Sequence, residues 1–272
     1  MRHFLYLAPL LGLASPALAE PYVELGLGAV DARANDIDQT IDYASAQTPA
    51  SPTAPLPADV FVDDVFGTRS KPGLEASVAA GWDFGFLRLE GEIAHRQVRT
   101  SRIAADDFTG EFLTQLNGAL NRPSTAPDPG APGLAALGLA DFQRPGNIRA
   151  LSAMANAILD LKIGRRLTVF AGGGYGQARV SGFGDQDSAR AWQHMAGLRF
   201  RLDERLELGL RHRYFDAGIV KLVDDPRGFA GNVDTILVGT TPVNRLTNAN
   251  VTQDFEGHWR TRSVQLTLGY RF

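Results

Sequence analysis

The chain contains 272 residues, of which 44% are apolar and 21% are charged, and it carries a formal net charge of −3 without any cysteine. The slightly acidic balance argues against a nucleic-acid binder, which needs a basic patch or stripe. The lack of cysteine excludes disulfide scaffolds, thiolate zinc sites and cysteine nucleophiles. No run reaches the about 18 consecutive apolar residues of a membrane-spanning helix. A membrane β-barrel stays open as an alternative, because its apolar residues occupy alternate positions.

The first nineteen residues have the pattern of a secretory signal peptide. Arg2 and His3 form a short basic start, an apolar run follows, and residues 17–19 form a small-x-small cleavage site. The apolar run is too short to span a bilayer. We therefore expect residues 1–19 to be removed after export and residues 20–272 to form one domain.

Eight segments of this domain alternate apolar and polar residues over about ten positions, the length of a tilted membrane strand. In the second segment, for example, Leu74, Val78 and Trp82 share one face, while Glu75 and Asp83 lie on the other. The eight segments comprise residues 22–30, 74–84, 87–98, 151–162, 167–180, 192–202, 206–215 and 262–272.

The connections distinguish a membrane barrel from a soluble β-sandwich, which alternates in the same way. Connections after the second, fourth and sixth segments are tight, whereas those after the first, third and seventh are long, and the one after the fifth is shorter. Short turns at one rim and long loops at the other are typical of outer-membrane barrels. The pattern predicts an all-β fold, an eight-stranded antiparallel up-and-down transmembrane barrel with short periplasmic turns and long extracellular loops.

The polar faces of the segments carry nearly balanced charge, with six acids and seven bases. An eight-stranded barrel is just wide enough for side chains to fill it. Charges confined there must pair, because an unpaired buried ion costs several kcal/mol. We predict an interior ion-pair network made of Glu24, Glu75, Arg88, Glu90, Glu92, Arg96, Asp160, Arg199, Arg201, Glu207, Arg211, Arg213 and Arg271.

Aromatic residues lie at the ends of the predicted strands, where a membrane–water interface favours them. Trp82 and Tyr22 are assigned to the rim with the short turns, and Trp192 and Trp259 to the opposite rim. We therefore predict that all three tryptophans belong to an aromatic girdle on the outer surface.

Short motifs recur in order along the strands, at residues 22–23, 88–92, 154–156, 171–175, 192–197, 211–215 and 268–272. As an ordered set they resemble the small eight-stranded outer-membrane barrels of Gram-negative bacteria, the OmpA-like or opacity-type surface proteins. The resemblance implies that Tyr270 and Phe272 form the terminal signal read by the barrel-assembly machinery. It also implies an outer-membrane location among lipids and lipopolysaccharide. We expect no periplasmic peptidoglycan-binding domain after the last strand.

Three long connections are expected on the extracellular side, at residues 31–71, 99–147 and 216–257. The first contains a Pro-, Ala-, Ser- and Thr-rich stretch at 48–57, which we expect to be unstructured. The third contains an apolar stretch at 236–243, which would extend strands above the membrane.

The second connection contains a predicted helix at residues 106–120. Phe108, Phe112, Leu116 and Leu120 recur every four residues and so share one face. Two interpretations stay open: a local cap over the barrel mouth, or a surface helix that binds a partner or rests on the membrane.

No catalytic constellation is found. His212 lies near the outer end of a strand without the nearby serine that acyl transfer needs, and no Gly-x-Ser-x-Gly or His-Glu-x-x-His motif occurs. The acidic pairs in the loops lack a metal-site spacing, so we expect neither a metal nor a cofactor. The leading hypothesis is a non-enzymatic barrel with a structural or surface-interaction role, in adhesion or envelope integrity, that contacts an extracellular ligand through its loops. A narrow pore for ions or small solutes is the alternative, and a lipid-modifying enzyme is the third hypothesis.

Overall fold

The computed structural model describes residues 19–32, 36–46, 56–122, 133–143 and 146–272. The predicted signal peptide up to residue 18 and most of the stretch 48–57 lie outside these residues. The elements are β1 Glu20–Ala32, β2 Asp36–Ala46, β3 Val60–Asp83, β4 Leu87–Ala105, α1 Thr109–Ala119, a 3₁₀ turn Leu139–Phe142, β5 Gly146–Ile163, β6 Leu167–Gly182, β7 Asp185–Arg201, β8 Leu206–Val223, β9 Arg227–Phe229, β10 Val233–Val238 and β11 Thr241–Arg271.

Eight of these strands close into an antiparallel ring, in the order β1, β3, β4, β5, β6, β7, β8 and β11. The ring closes because β11 pairs with β8 on one side and with β1 on the other. Each of the eight alternating segments falls mainly within one ring strand, so the predicted eight-stranded barrel is confirmed. Short turns join β3 to β4, β5 to β6, and β7 to β8, and they all lie at the rim where β1 begins and β11 ends.

The ring strands continue well beyond the predicted segments on the opposite side. β2 pairs with β11 and β3, the same two neighbours that flank β1, and so prolongs β1 outward. β9 and β10 prolong β8 along β11, which runs for 31 residues. Much of the first and third long connections is therefore β-structure, where the sequence analysis expected loops.

The connection between β6 and β7 is a two-residue hairpin turn. Phe183 and Gly184 have φ angles of 54° and 90°. Positive φ at both central residues matches the twist of the flanking strands in a tight hairpin. This side of the barrel therefore has no long loop, and the extracellular mass lies over the other strands.

Helix α1 packs inside the barrel wall on the side opposite the short turns. Phe112, Leu116 and Leu120 are fully buried, and they share an apolar cluster with Phe66 of β3 and Phe142 of the 3₁₀ turn. Phe66, Phe112 and Phe142 contact one another with ring centroids 5.4–5.7 Å apart. Of the two interpretations of the helix, the packing favours a local cap over the barrel mouth.

The outer surface of the ring carries a belt of exposed apolar side chains. Leu25, Ile93, Leu159 and Leu266 are each more than half exposed, although they lie within ring strands. Soluble monomers rarely expose a contiguous apolar surface of this kind. A lipid bilayer is the solvent that such a belt requires.

In the described part of the chain, no helix has the length and apolarity needed to cross a membrane.

Candidate functional site

The alternation of the strands directs the thirteen charged residues of the proposed network to the inner wall. Eleven of them are buried, the Asp160 side chain is 1% exposed, and the Arg201 side chain at the short-turn rim is 36% exposed. Each of the thirteen forms at least one ion pair with another described residue. The inner wall is therefore a charged but internally compensated surface.

The network begins at the rim with the short turns. Arg271 forms ion pairs with Asp83 at 2.8 Å and with Glu207 at 3.0 Å. Glu207 also accepts a hydrogen bond from Arg199 at 3.1 Å, and Arg199 donates to Asp160 at 2.5 Å. These contacts join β11, β3, β8, β7 and β5 across the bore.

The next layer centres on Arg88. Its guanidinium donates to Asp160 at 2.9 Å and to the Tyr22 hydroxyl at 3.3 Å. The same hydroxyl donates to Glu90 at 2.5 Å. The Phe170 ring lies 5.4 Å from Arg88 and covers it from the other side. Aromatic faces and carboxylates thus surround the cation.

An amide relay connects this layer to the one above it. Asn156 donates to Glu90 at 3.0 Å, and Gln193 donates to the Asn156 carbonyl at 2.8 Å and to Glu92 at 3.2 Å. The relay depends on Gly174, because a Cβ at that position would lie 1.8 Å from the Asn156 side-chain oxygen. Residues 172–174 of β6 are all glycine, and one of them is therefore needed for the close approach of a polar side chain.

The innermost layer holds three buried arginines around two buried carboxylates. Glu92 pairs with Arg211 at 3.0 Å and with Arg213. Arg213 also reaches Glu75 at 2.6 Å, and Glu75 pairs with Arg96 at 2.9 Å. Because these pairs link β8 with β3 and β4 on the opposite side of the ring, they fill the bore rather than line it.

An apolar layer lies directly above these charges. The Arg96 guanidinium stacks over the Phe215 ring at 3.9 Å, and Trp259 contacts Phe215 edge to face at 6.2 Å. Both rings belong to a buried apolar cluster to which seven of the eight ring strands contribute side chains. The bore therefore contains a charged layer, an apolar layer and the helical cap, in that order.

The assignment of Trp259 to the outer girdle is wrong. Trp259 is fully buried, whereas Trp82 and Trp192 are 57% and 42% exposed on the outer surface. The physical reason is the length of β11. Odd-numbered positions such as Gln265 point inward along the whole strand, whereas the sequence analysis began this strand only at residue 262 and left Trp259 outside it.

The sequence analysis also missed two members of the interior. Tyr22 was assigned to the rim but points inward with 5% exposure. Asp83 was placed on the same face as Glu75 but left out of the predicted network, and it is 3% exposed beside Arg271. A usable signal was present, because Tyr22 has the same strand parity as Glu24, and Asp83 the same parity as Glu75.

The histidines lie outside this interior network. His95, His194 and His212 are exposed on the outer face, and His194 stacks on Tyr214 with centroids 4.9 Å apart. His258 lies 2.8 Å from Asp216 near the extracellular rim. Among the described residues, no three acidic or histidine side chains converge to hold a metal ion.

Comparison with known proteins gives one sequence family and several structures of similar shape. The family described as outer membrane protein beta-barrel domain matches residues 135–272, just over half of the chain. No curated protein matches the sequence.

Three solved structures illustrate the similarity of shape. The Neisserial surface protein A is 12% identical, with a TM-score of 0.43 over 93% of this chain and 99% of that chain. The outer membrane protein OprG from Pseudomonas aeruginosa is 11% identical, with a TM-score of 0.40 over 93% and 96%. The attachment invasion locus protein Ail of Yersinia pestis is 11% identical, with a TM-score of 0.32 over 93% and 99%.

Proposed function

Because the chain belongs to the outer membrane protein β-barrel domain family, we propose that it is a closed outer-membrane barrel with a structural and surface-contact role. In this proposal it supports envelope integrity or adhesion through its extracellular part, and it reaches the membrane after removal of its signal peptide. It acts without catalysis or a cofactor.

The interior of the barrel is filled with side chains, which disfavours transport through it. Glu75, Arg96 and Arg213 are fully buried against one another, and Phe215 and Trp259 cover them with apolar rings. Water and ions would have to displace both layers and then the cap formed by α1. The alternative function, a narrow pore, requires all three layers to open.

The extracellular hairpin of β10 and β11 provides the contact surface. Among the described strands, β10 pairs with β11 alone, so its other edge is open. Val233 and Leu237 on this strand are 60% and 72% exposed, although they lie beyond the lipid-facing belt. An open edge strand with exposed apolar side chains can accept another strand or an apolar partner surface.

The contact role can be tested in cells that lack the native protein. We expect complementation with the wild type to restore attachment to surfaces and resistance to bile salts. The variant Val233→Ser/Leu237→Ser should lose attachment while it keeps its heat-modifiable gel mobility. Thr235→Ser, on the same face of β10, is the matched control. If cells without the protein behave like wild-type cells in both assays, the proposed role is wrong.

The last strand bears the proposed recognition signal for the barrel-assembly machinery. Tyr270 and Phe272 contact each other edge to face at 5.3 Å, and Phe272 is 70% exposed. The exposed ring of Phe272 at the end of the strand is accessible to an assembly factor. Deletion of Phe272 should reduce assembly in cells more than folding into micelles, and equal effects would exclude a signalling role.

A further inference from the structure

Five outward-facing cations form an arc on one side of the barrel, on five consecutive ring strands. They are Lys71 on β3, Arg99 on β4, Arg149 on β5, Arg179 on β6 and Arg190 on β7, and all of them are exposed. On each strand the cation lies on the extracellular side of the apolar belt. Along their strands toward the belt, Lys71, Arg149 and Arg190 are followed by the exposed apolar residues Leu74, Leu151 and Trp192. We call these five residues the basic arc.

The strand register makes the basic arc continuous. Lys71 is the direct cross-strand partner of Arg99. Each later cation lies two residues from the direct partner of the cation before it. Such diagonal neighbours are separated by about 7–8 Å. The five side chains are therefore neighbours, and the directly opposed pair of Lys71 and Arg99 repel each other unless an anion compensates them.

The protein does not supply that anion. In the described part of the chain, no carboxylate lies within ion-pair distance of any member of the basic arc. The nearest acids on β7, Asp185 and Asp187, have the inward parity and accept backbone hydrogen bonds from β8. On the neighbouring strand β8, by contrast, Lys221 pairs with Glu256 of β11 at 3.3 Å.

An apolar groove lies below the basic arc on four of the same strands. It has a volume of about 660 Å³ and is lined by Val78, Ala80, Ile93, Ala153, Ala155 and Tyr175, among others. Alanines form its floor, and the larger side chains form its edges. Ala153 follows Arg149 by four residues on β5, which corresponds to ~13 Å along the strand.

We propose that this face binds a phosphorylated, multiply acylated lipid of the outer leaflet, namely lipopolysaccharide. Its phosphates lie on the basic arc, and one acyl chain lies in the groove. Guanidinium groups bind phosphate through paired, charge-assisted hydrogen bonds. The arc lies on the side away from the short turns and the two termini, which selects the outer leaflet. The inference rests on the proposed outer-membrane location.

The wild-type barrel provides the first test, in detergent micelles, with purified lipopolysaccharide and the same lipid after enzymatic removal of its phosphates. Each cation near an anionic membrane surface contributes about a fivefold change in affinity. Five such cations together correspond to roughly three orders of magnitude, so we expect removal of the phosphates to weaken binding by at least about 100-fold. Equal affinity for both lipids would overturn the proposal. Equally tight binding of a soluble sulfated glycan would also overturn it, because the arc would then recognise a polyanion rather than a lipid.

Matched variants provide the second test. Arg99→Gln/Arg149→Gln/Arg179→Gln should weaken lipopolysaccharide binding by about 100-fold. The control, Lys221→Gln/Arg262→Gln on β8 and β11, outside the basic arc, should stay within twofold of the wild type. Unchanged binding by the first variant, with heat-modifiable gel mobility retained, would exclude the basic arc.

The groove has a separate readout. Ala153→Phe fills the groove and should weaken binding of the complete lipid about tenfold, while binding of the deacylated, phosphorylated headgroup stays unchanged. An equal loss for both ligands would exclude an acyl-chain site.

Cell fractionation distinguishes a failure of the proposed function from a failure of this inference alone. A wild-type protein outside the outer membrane refutes the proposed function, whereas phosphate-independent binding by a correctly located barrel refutes this inference alone.

Discussion

Replacement of Glu75 by glutamine removes one negative charge from the fully buried interior of the barrel. Glu75 lies 2.9 Å from Arg96 and 2.6 Å from Arg213, and all three side chains are 0% exposed. At an effective dielectric constant of about 20, each contact corresponds to ~6 kcal/mol of Coulomb attraction. The desolvation of the ions offsets much of this energy, and the net cost of breaking a buried pair is about 3–5 kcal/mol.

The two arginines keep different partners in this variant. Arg213 keeps its ion pair with Glu92, whereas Arg96 keeps hydrogen bonds to the neutral partners Ser152 at 2.7 Å and Gln193 at 3.4 Å. The surplus positive charge therefore falls mainly on Arg96, which is fully buried. We expect the free energy of unfolding to decrease by about 3–5 kcal/mol.

Urea unfolding of the folded barrel in phospholipid vesicles measures this cost. The double variant Glu75→Gln/Arg96→Gln restores neutrality and should recover at least half of the loss. Glu256→Gln removes a 55% exposed partner of Lys221 and should change the unfolding free energy by less than ~1 kcal/mol. If Glu75→Gln costs no more than this surface control, water reaches the interior and the account of a filled bore is wrong.

Three further predictions concern other parts of the molecule. Trp259 is fully buried inside the barrel, whereas Trp82 and Trp192 face outward. In single-tryptophan variants, brominated lipid should quench the outer two, and quenching of Trp259 would place it in the membrane instead. Leu116→Ala removes a fully buried side chain of the cap at a cost of about 2–5 kcal/mol. Proteolysis of the cap should accelerate while the urea midpoint of the barrel stays constant, and a parallel loss of both would show that cap and barrel unfold together. The pKa of Asp185 is lowered because its carboxylate accepts two backbone hydrogen bonds. The ionised carboxylate therefore stabilises the folded protein at pH values above the ordinary aspartate pKa, and this stabilisation is lost as the pH falls through the lowered pKa. An NMR titration in which the Asp185 carboxyl group titrates at the ordinary aspartate pKa would contradict this prediction.

The sequence contains enough information for the ring of eight strands because period-two alternation is a local signal. Leu74 is 69% exposed on the outer surface, whereas its neighbour Glu75 is fully buried in the interior. The same contrast between neighbours recurs along each strand. The parity of each strand also determines which charges point inward. Tyr22 was missed because its aromatic residue type at a strand end was given more weight than its parity, and Asp83 was left out of the network although its parity was recognised.

The extracellular extensions could not be derived in the same way. Their inner faces pack against the cap, so Val65 and Phe66 are both buried and the alternation disappears. A bulge in β8 near Gly218, with φ of 67°, shifts the register between β8 and β11 and changes the inward parity of the strand. The spacing of Phe112 and Leu116 indicates a helix, but the direction of its apolar face depends on long-range strand pairing.

Single-channel recording in planar lipid bilayers tests the closed barrel most directly. The protein should first be shown to be folded by heat-modifiable gel mobility and by detergent-dependent β-rich circular dichroism. Because the charged layer, the ring pair of Phe215 and Trp259, and the cap all fill the bore, we predict a baseline current without steady openings. Reproducible steady openings by the folded protein would contradict this account and establish the pore as its function.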